Sequence, residues 1–180
     1  MKIGLVRHFK VIHKHDGSWM TSDQFNSWVE AYNNAEIEDT DLEYGLSEWN
    51  VCISSDLSRA VQTAEMIYPG SVIVTDQLRE IEIQSIHALG NLKLPCQMWM
   101  VMGRIAWFFS HSSQAERKNE TVDRARHTIE WIEEHYSNRN VLVVSHGAFM
   151  KVLTQELFKK GYRGKGLMNP RNGAMYIYEK

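Results

Sequence analysis

Cysteine, proline and unbroken apolar sequence are all scarce in this chain. Of its 180 residues, two are cysteine and three are proline. Cys52 and Cys96 lie far apart and form no CxxC pattern, which argues against a disulfide scaffold or a cysteine zinc site. Cys52 falls in a strand-like run and reads as a buried, reduced thiol. The longest apolar stretch, Cys96–Phe109, is interrupted by Arg104 and is shorter than the ~20 residues of a usual membrane span. After Lys2 the chain goes straight into a strand pattern, without the charged head, apolar middle and small-residue exit of a signal peptide. These features predict a soluble, cytoplasmic protein with no membrane partner. An excess of one charge sign is also lacking. The formal net charge of −2 argues against a nucleic-acid partner gripped along the whole chain, but it leaves room for a local cationic pocket.

What remains is the composition of an ordinary globular protein. The length fits a single domain, 1–180, able to bury roughly two thirds of its unfolded surface. Lys2–Val6, Val51–Ser54, Val72–Val74 and Val141–Val144 read as short buried strands, rich in Val and Ile. Ala174–Tyr178 reads as a terminal edge strand. Helical spacing separates the strands. Leu57, Ala60, Val61, Ala64 and Ile67 share one helical face, with Ser54, Ser55 and Asp56 as cap candidates and Pro69-Gly70 as a stop. Further helices are expected over Ser22–Asn34, from Glu120-Thr121 onward, and after Gly147. The acidic stretch Glu36–Glu43 reads as a solvated connection. This alternation predicts an α/β fold, a three-layer sandwich with a mostly parallel central sheet and helices on both faces.

In such a sheet, ligands bind beyond the carboxyl ends of the strands. Arg7 and His8 follow one strand, Ser145-His146-Gly147 another, and Arg59 lies just past a third, near a helix start. A parallel arrangement brings all three to one rim, where helix N-termini add N–H donors for an anion. The planar guanidinium binds phosphate oxygens in pairs and stays charged. A neutral imidazole can attack phosphorus. A carboxyl group such as Glu80 can protonate the departing alkoxide and later activate water. No metal is needed where enough cationic donors converge.

The set resembles the histidine phosphatase superfamily, which also contains the cofactor-dependent phosphoglycerate mutases. Leu5-Val6-Arg7-His8 resembles its strand-end Arg-His signature, Ser54–Ala64 its arginine-bearing helix start, Leu78-Arg79-Glu80-Ile81 its acid segment, and Val144-Ser145-His146-Gly147 its second-histidine motif. The resemblance implies His8 as nucleophile and Glu80 as proton donor. It also implies that Arg7, Arg59, His146 and Gly147 bind the phosphoryl group, with no cofactor or metal. It implies hydrolysis of a small phosphorylated metabolite. Two alternatives are a mutase that returns the phosphoryl group and a module that binds phosphate or phosphopeptide without turnover.

The chain also departs from the family pattern. Phe9 stands where glycine is usual, followed by Lys10 and Val11 in place of Glu-Thr, and Lys14 takes the place of a phosphate-contacting Asn. Lys10 and Lys14, with His13 and His15, form either a cationic mouth to the site or an exposed basic loop. Glu82 rivals Glu80 as the acid, because an extended segment puts both on one side. No helix is expected between Leu46-Ser47-Glu48 and the second strand; Ser22–Asn34 replaces it from earlier in the chain. The residues around 83–118 take the place of a cap over the site. Within them, Met98–Phe109 reads as a buried helix, a dimer face, or a wall for an organic leaving group.

Overall fold

The computed structural model describes residues 1–13, 19–38, 48–86 and 91–180. Its main sheet is built from β1 (Lys2–Arg7), β3 (Val51–Ser55), β4 (Val72–Thr75), β6 (Val141–Ser145), β7 (Arg163–Gly164) and β8 (Met175–Glu179), in the order β4-β3-β6-β1-β8-β7. The β4-β3-β6-β1 half is parallel, and β8 and β7 add antiparallel pairs. A separate pair joins β2 (Trp19–Met20) to β5 (Leu94–Pro95).

Alternation along the strands divides the interior in two. Ile3, Leu5, Ile53, Val141 and Val143 face one side, where Ala125, Ile129 and Ile132 of α4 (Lys118–Tyr136) and Phe149, Leu153 and Leu157 of α5 (Gly147–Lys159) cover them. Val6, Cys52, Leu142 and Val144 face the other side, against Ala60, Ala64 and Ile67 of α2 (Ser58–Ile67). These are the expected three layers, with β6 fully buried at the centre. A third, smaller cluster gathers Phe25 of α1 (Ser22–Asn33), Cys96 and Trp99 of α3 (Cys96–Phe108), Met20 and Ile83.

Several local expectations are corrected. The terminal strand β8 is no edge: it lies between β1 and β7, because Arg163–Gly164 supplies the edge beyond it. At the opposite edge β4 is only half covered, with Ile73 and Val74 exposed. Leu57 caps α2 without a side-chain bond, because Asp56 is drawn away to Arg79 Nε at 2.7 Å. α4 starts at Lys118, two residues earlier than expected. α1 forms as expected, with a capping box between Thr21 and Gln24. α3 is amphipathic in an unusual way. Trp99, Gly103 and Ala106 point inward, while the outward positions Val101, Ile105 and Phe108 are also apolar and exposed. Among the described residues no helix is long and apolar enough to cross a membrane.

Candidate active site

The parallel register places the site. Arg7 of β1 pairs with Ser145 of β6, and Ser54 of β3 pairs with Val144, so three strands end on one rim. His8 and His146 each lie one residue beyond, with ring centroids 5.1 Å apart. The backbone N–H of His8 donates to the Ser145 carbonyl at 3.0 Å, which locks the two strand ends together. Arg59 enters from the first turn of α2. Glu80 follows β4 and a short 3-10 turn, Asp76–Leu78. Its carboxyl oxygens accept N–H bonds from Ala148 at 3.1 Å and Phe149 at 2.9 Å, so the acid segment is fastened to the start of α5.

His8 is 2% exposed, and its Nδ1 lies 2.6 Å from the Phe9 carbonyl. A carbonyl only accepts, so Nδ1 carries the proton. Burial first, then the Arg59 and Arg7 charges, push the His8 pKa down to about 3 against the opposing pull of the Phe9 carbonyl. The ring is therefore neutral at ordinary pH, and the Nε2 lone pair is unprotonated. His146 is likewise held well below the usual histidine range, by burial and then by Arg59 and its other cationic neighbours. Its Nε2 lies 2.9 Å from Ser55 Oγ.

The arginines are anchored at one end only. Arg7 donates from Nη1 to the Pro170 carbonyl at 2.9 Å, and Arg59 donates from Nη1 to Asn33 Oδ1 at 2.9 Å. Among the described residues the Nε of each is buried without a hydrogen-bond partner. His146 Nδ1 and Arg104 Nη1 are in the same condition. Arg104 Nη2 approaches Glu80 Oε2 only to 3.9 Å, and Arg104 feels the charge of Arg7. Burial lowers the pKa of Arg59 and of Arg104 from the usual arginine value. Gly147 makes the crowding possible, since a Cβ there would lie 3.2 Å from Arg7 Nε.

Arg7, His8, Arg59, Glu80, His146 and Gly147 are thus brought together. Lys10 instead forms an exposed ion pair with Glu38 at 2.6 Å, and Lys14 and His15 fall outside the described residues. The 80–83 segment does alternate: Ile81 and Ile83 are buried and Glu82 is exposed. Glu82 lines a cavity of about 460 Å³ with Asn26, Glu30 and Asn33 rather than the start of α5. Phe9, in the glycine position, is buried in the core beside α2, and its N–H donates to Thr63 Oγ1 at 2.9 Å. Asn172 adds a bond from Nδ2 to the His8 carbonyl at 2.8 Å.

Sequence reasoning missed Arg104, Asn33 and Asn172. Arg104 did leave a signal, as the one charge within an otherwise apolar helix. The two asparagines left none. Among the described residues no group of three or more His, Cys, Asp or Glu side chains is arranged to hold a metal ion.

A sequence profile of the histidine phosphatase superfamily (branch 1) matches residues 35–179. The chain belongs to that superfamily. Comparison with curated proteins returns no match. Solved structures of the histidine phosphatase fold resemble it along almost its whole length. Bacillus stearothermophilus YhfR is 20% identical with a TM-score of 0.63, over 99% of this chain and 90% of that one. The phosphoserine phosphatase of Entamoeba histolytica, solved with phosphoserine, is 15% identical with a TM-score of 0.61, over 98% and 89%. A mycobacterial glucosyl-3-phosphoglycerate phosphatase is 17% identical with a TM-score of 0.59, over 98% and 88%.

Proposed function

We propose that this histidine phosphatase superfamily member hydrolyses phosphomonoesters of small metabolites through a covalent intermediate on His8, without a metal. One observation carries the reading. Among the described residues, four of the buried side-chain nitrogens without a hydrogen-bond partner belong to Arg7, Arg59, Arg104 and His146, the cationic and imidazole groups around His8 and Glu80. Leaving buried donors unpaired costs about 1–3 kcal/mol each. A cluster of such donors around one neutral imidazole suits a ligand with several acceptor oxygens and negative charge. Three guanidiniums gather around one ionisable carboxyl group, Glu80, so the site carries surplus positive charge that suits a phosphoryl dianion.

In this reading His8 Nε2 attacks phosphorus while the bond from phosphorus to the alcohol oxygen breaks. Hydrogen bonds from Arg7, Arg59, Arg104 and His146 Nδ1 stabilise the charge on the equatorial oxygens. For His146 we assign the tautomer with the proton on Nδ1. The Ser55 hydroxyl then donates to Nε2 while Ser55 Oγ accepts the Leu57 N–H at 3.3 Å. Glu80 gives its proton to the departing alkoxide. Its carboxylate then takes a proton from water, the water oxygen attacks phosphorus, and the bond to Nε2 breaks to release inorganic phosphate. The phosphatase neighbours in the same superfamily favour water as the final acceptor.

The test is rapid quenching in alkaline detergent during turnover of a ³²P-labelled aryl phosphate in chelator, followed by acid treatment of the recovered protein. Acid-labile label should accumulate on the wild type and vanish in His8→Ala. Label that persists in His8→Ala overturns the nucleophile assignment.

A further inference from the structure

We propose that Asn33 and Tyr32, at the end of α1, are positioning residues that hold Arg59 by an uncharged grip and keep its full charge for the substrate. The proposal rests on the reading of the rim as a phosphoryl site. Asn33 Oδ1 accepts from Arg59 Nη1 at 2.9 Å, and the Tyr32 ring centroid lies 5.3 Å from the guanidinium carbon. One edge of the fork is thereby fixed and one face is shielded. Nε, on the other edge, stays buried and unpartnered.

The choice of acceptor matters. Elsewhere on the protein, arginines pair with carboxylates: Arg79 with Asp56, Arg124 with Glu116, Arg126 with Asp123. In the site, Arg7 and Arg59 are each held through Nη1 by a neutral oxygen, the Pro170 carbonyl and the Asn33 amide. A carboxylate there would bond equally well but would cancel the charge that a phosphoryl group needs. Both anchors orient the side chain and leave Nε free. α1 ends at Asn33, ahead of residues 35–179 matched by the superfamily profile, so this grip comes from outside the matched segment.

Asn33→Ala and Asn33→Asp separate charge from shape. Inorganic phosphate binding is measured by calorimetry from pH 7 to pH 4, alongside kcat/KM on an aryl phosphate and a melting curve for each variant. Asn33→Ala should weaken phosphate binding about threefold to tenfold, the size of one lost orienting bond. Asn33→Asp should weaken it about tenfold further at pH 7. That extra deficit should shrink toward pH 4, where inorganic phosphate binds as a monoanion and feels the lost charge less; the introduced carboxylate stays ionised, because contact with Arg59 outweighs Glu30 and Glu82, which line the same cavity. A purely structural role would not produce this pH-dependent gap between the two variants. If Asn33→Asp binds phosphate as the wild type does, or matches Asn33→Ala at every pH, the proposal is overturned while the phosphoryl-site reading stands. A wild type that binds no phosphate overturns both. Phosphate binding without label on His8 removes only the covalent step, and the Asn33 comparison still decides the proposal.

Discussion

Gly147→Ala should separate catalysis from stability in opposite directions. Gly147 is the first residue of α5, and the Arg7 side chain lies across it. The added methyl would sit 3.2 Å from Arg7 Nε, 3.3 Å from Cζ and 3.6 Å from Cδ. Carbon contacts are comfortable at about 3.5–4.0 Å, so the guanidinium must retreat by a few tenths of an ångström. Its Nη1 is tethered to the Pro170 carbonyl, so the displacement falls mainly on the free Nε edge. A charge-assisted bond is worth about 1.5–3 kcal/mol, and a misaligned one retains part of that. The expected loss is about 1 kcal/mol, or roughly fivefold in phosphate affinity and in kcat/KM. Folding should respond the other way. Replacing glycine by alanine in a helix gains up to about 0.5–1 kcal/mol. Urea melts paired with phosphate titration and aryl-phosphate kinetics read both quantities on one preparation. A variant that is no more stable and loses no affinity would show that Arg7 does not depend on the bare backbone at Gly147.

Glu80→Gln should slow an alkyl phosphate at least about tenfold more than an activated aryl phosphate, because only the poor leaving group needs a proton; equal losses on both substrates reject the acid role. The unliganded protein should lose stability as pH falls. The folded-state pKa of His8 lies near 3 against 6.5 for the free side chain, and His146 is lowered too, so below about 6.5 the unfolded chain takes up protons that the native rings refuse. That contribution is complete above 6.5 and disappears toward 3. Urea midpoints from pH 7.5 to 4 should slope less steeply in His8→Ala, and an unchanged slope would contradict the assignment. Gly103→Ala should push α3 away from the segment under it, since its Cβ would collide with Ile83 Cγ2. Overpacking of this kind costs about 1–3 kcal/mol. A melting temperature equal to that of the wild type would mean the helix shifts freely.

The parts of the site that follow strand ends were legible because strand, turn and helix start are local patterns. Arg7, His8, His146 and Arg59 are placed by their own neighbours in sequence, and the parallel register does the rest. The three-layer fold was legible for the same reason, through Val- and Ile-rich runs separated by helical spacing. Side-chain partnerships across the fold were not. Nothing near Asn33 in sequence shows that it meets Arg59, 26 positions away, and Asn172 reaches His8 across 164. Arg104 is visible as a charge in an apolar helix, but its direction depends on how Gly103 seats that helix on Ile83. Glu80 was found by its motif, yet its bonds to the start of α5 are tertiary. The edge status of β4 and the interior position of β8 were misread because Val-rich character does not distinguish strands covered on both sides from those covered on one.

The order β4-β3-β6-β1 has a consequence for how the chain acquires its shape. β1 and β3 are made early, but neither pairs with the other; both pair with β6, whose residues begin at position 141. Ile3 and Val51 both wait for Val141 as their partner. A ribosome-bound chain that has not yet extruded this segment holds two apolar strands with their shared neighbour missing. Closure over such separations is slow, and exposed strand edges in the interval favour aggregation. The two histidines follow strands that meet only when β6 arrives, so the candidate site is incomplete until the central strand is inserted, and truncations before residue 141 should be dependent on chaperones as well as inactive.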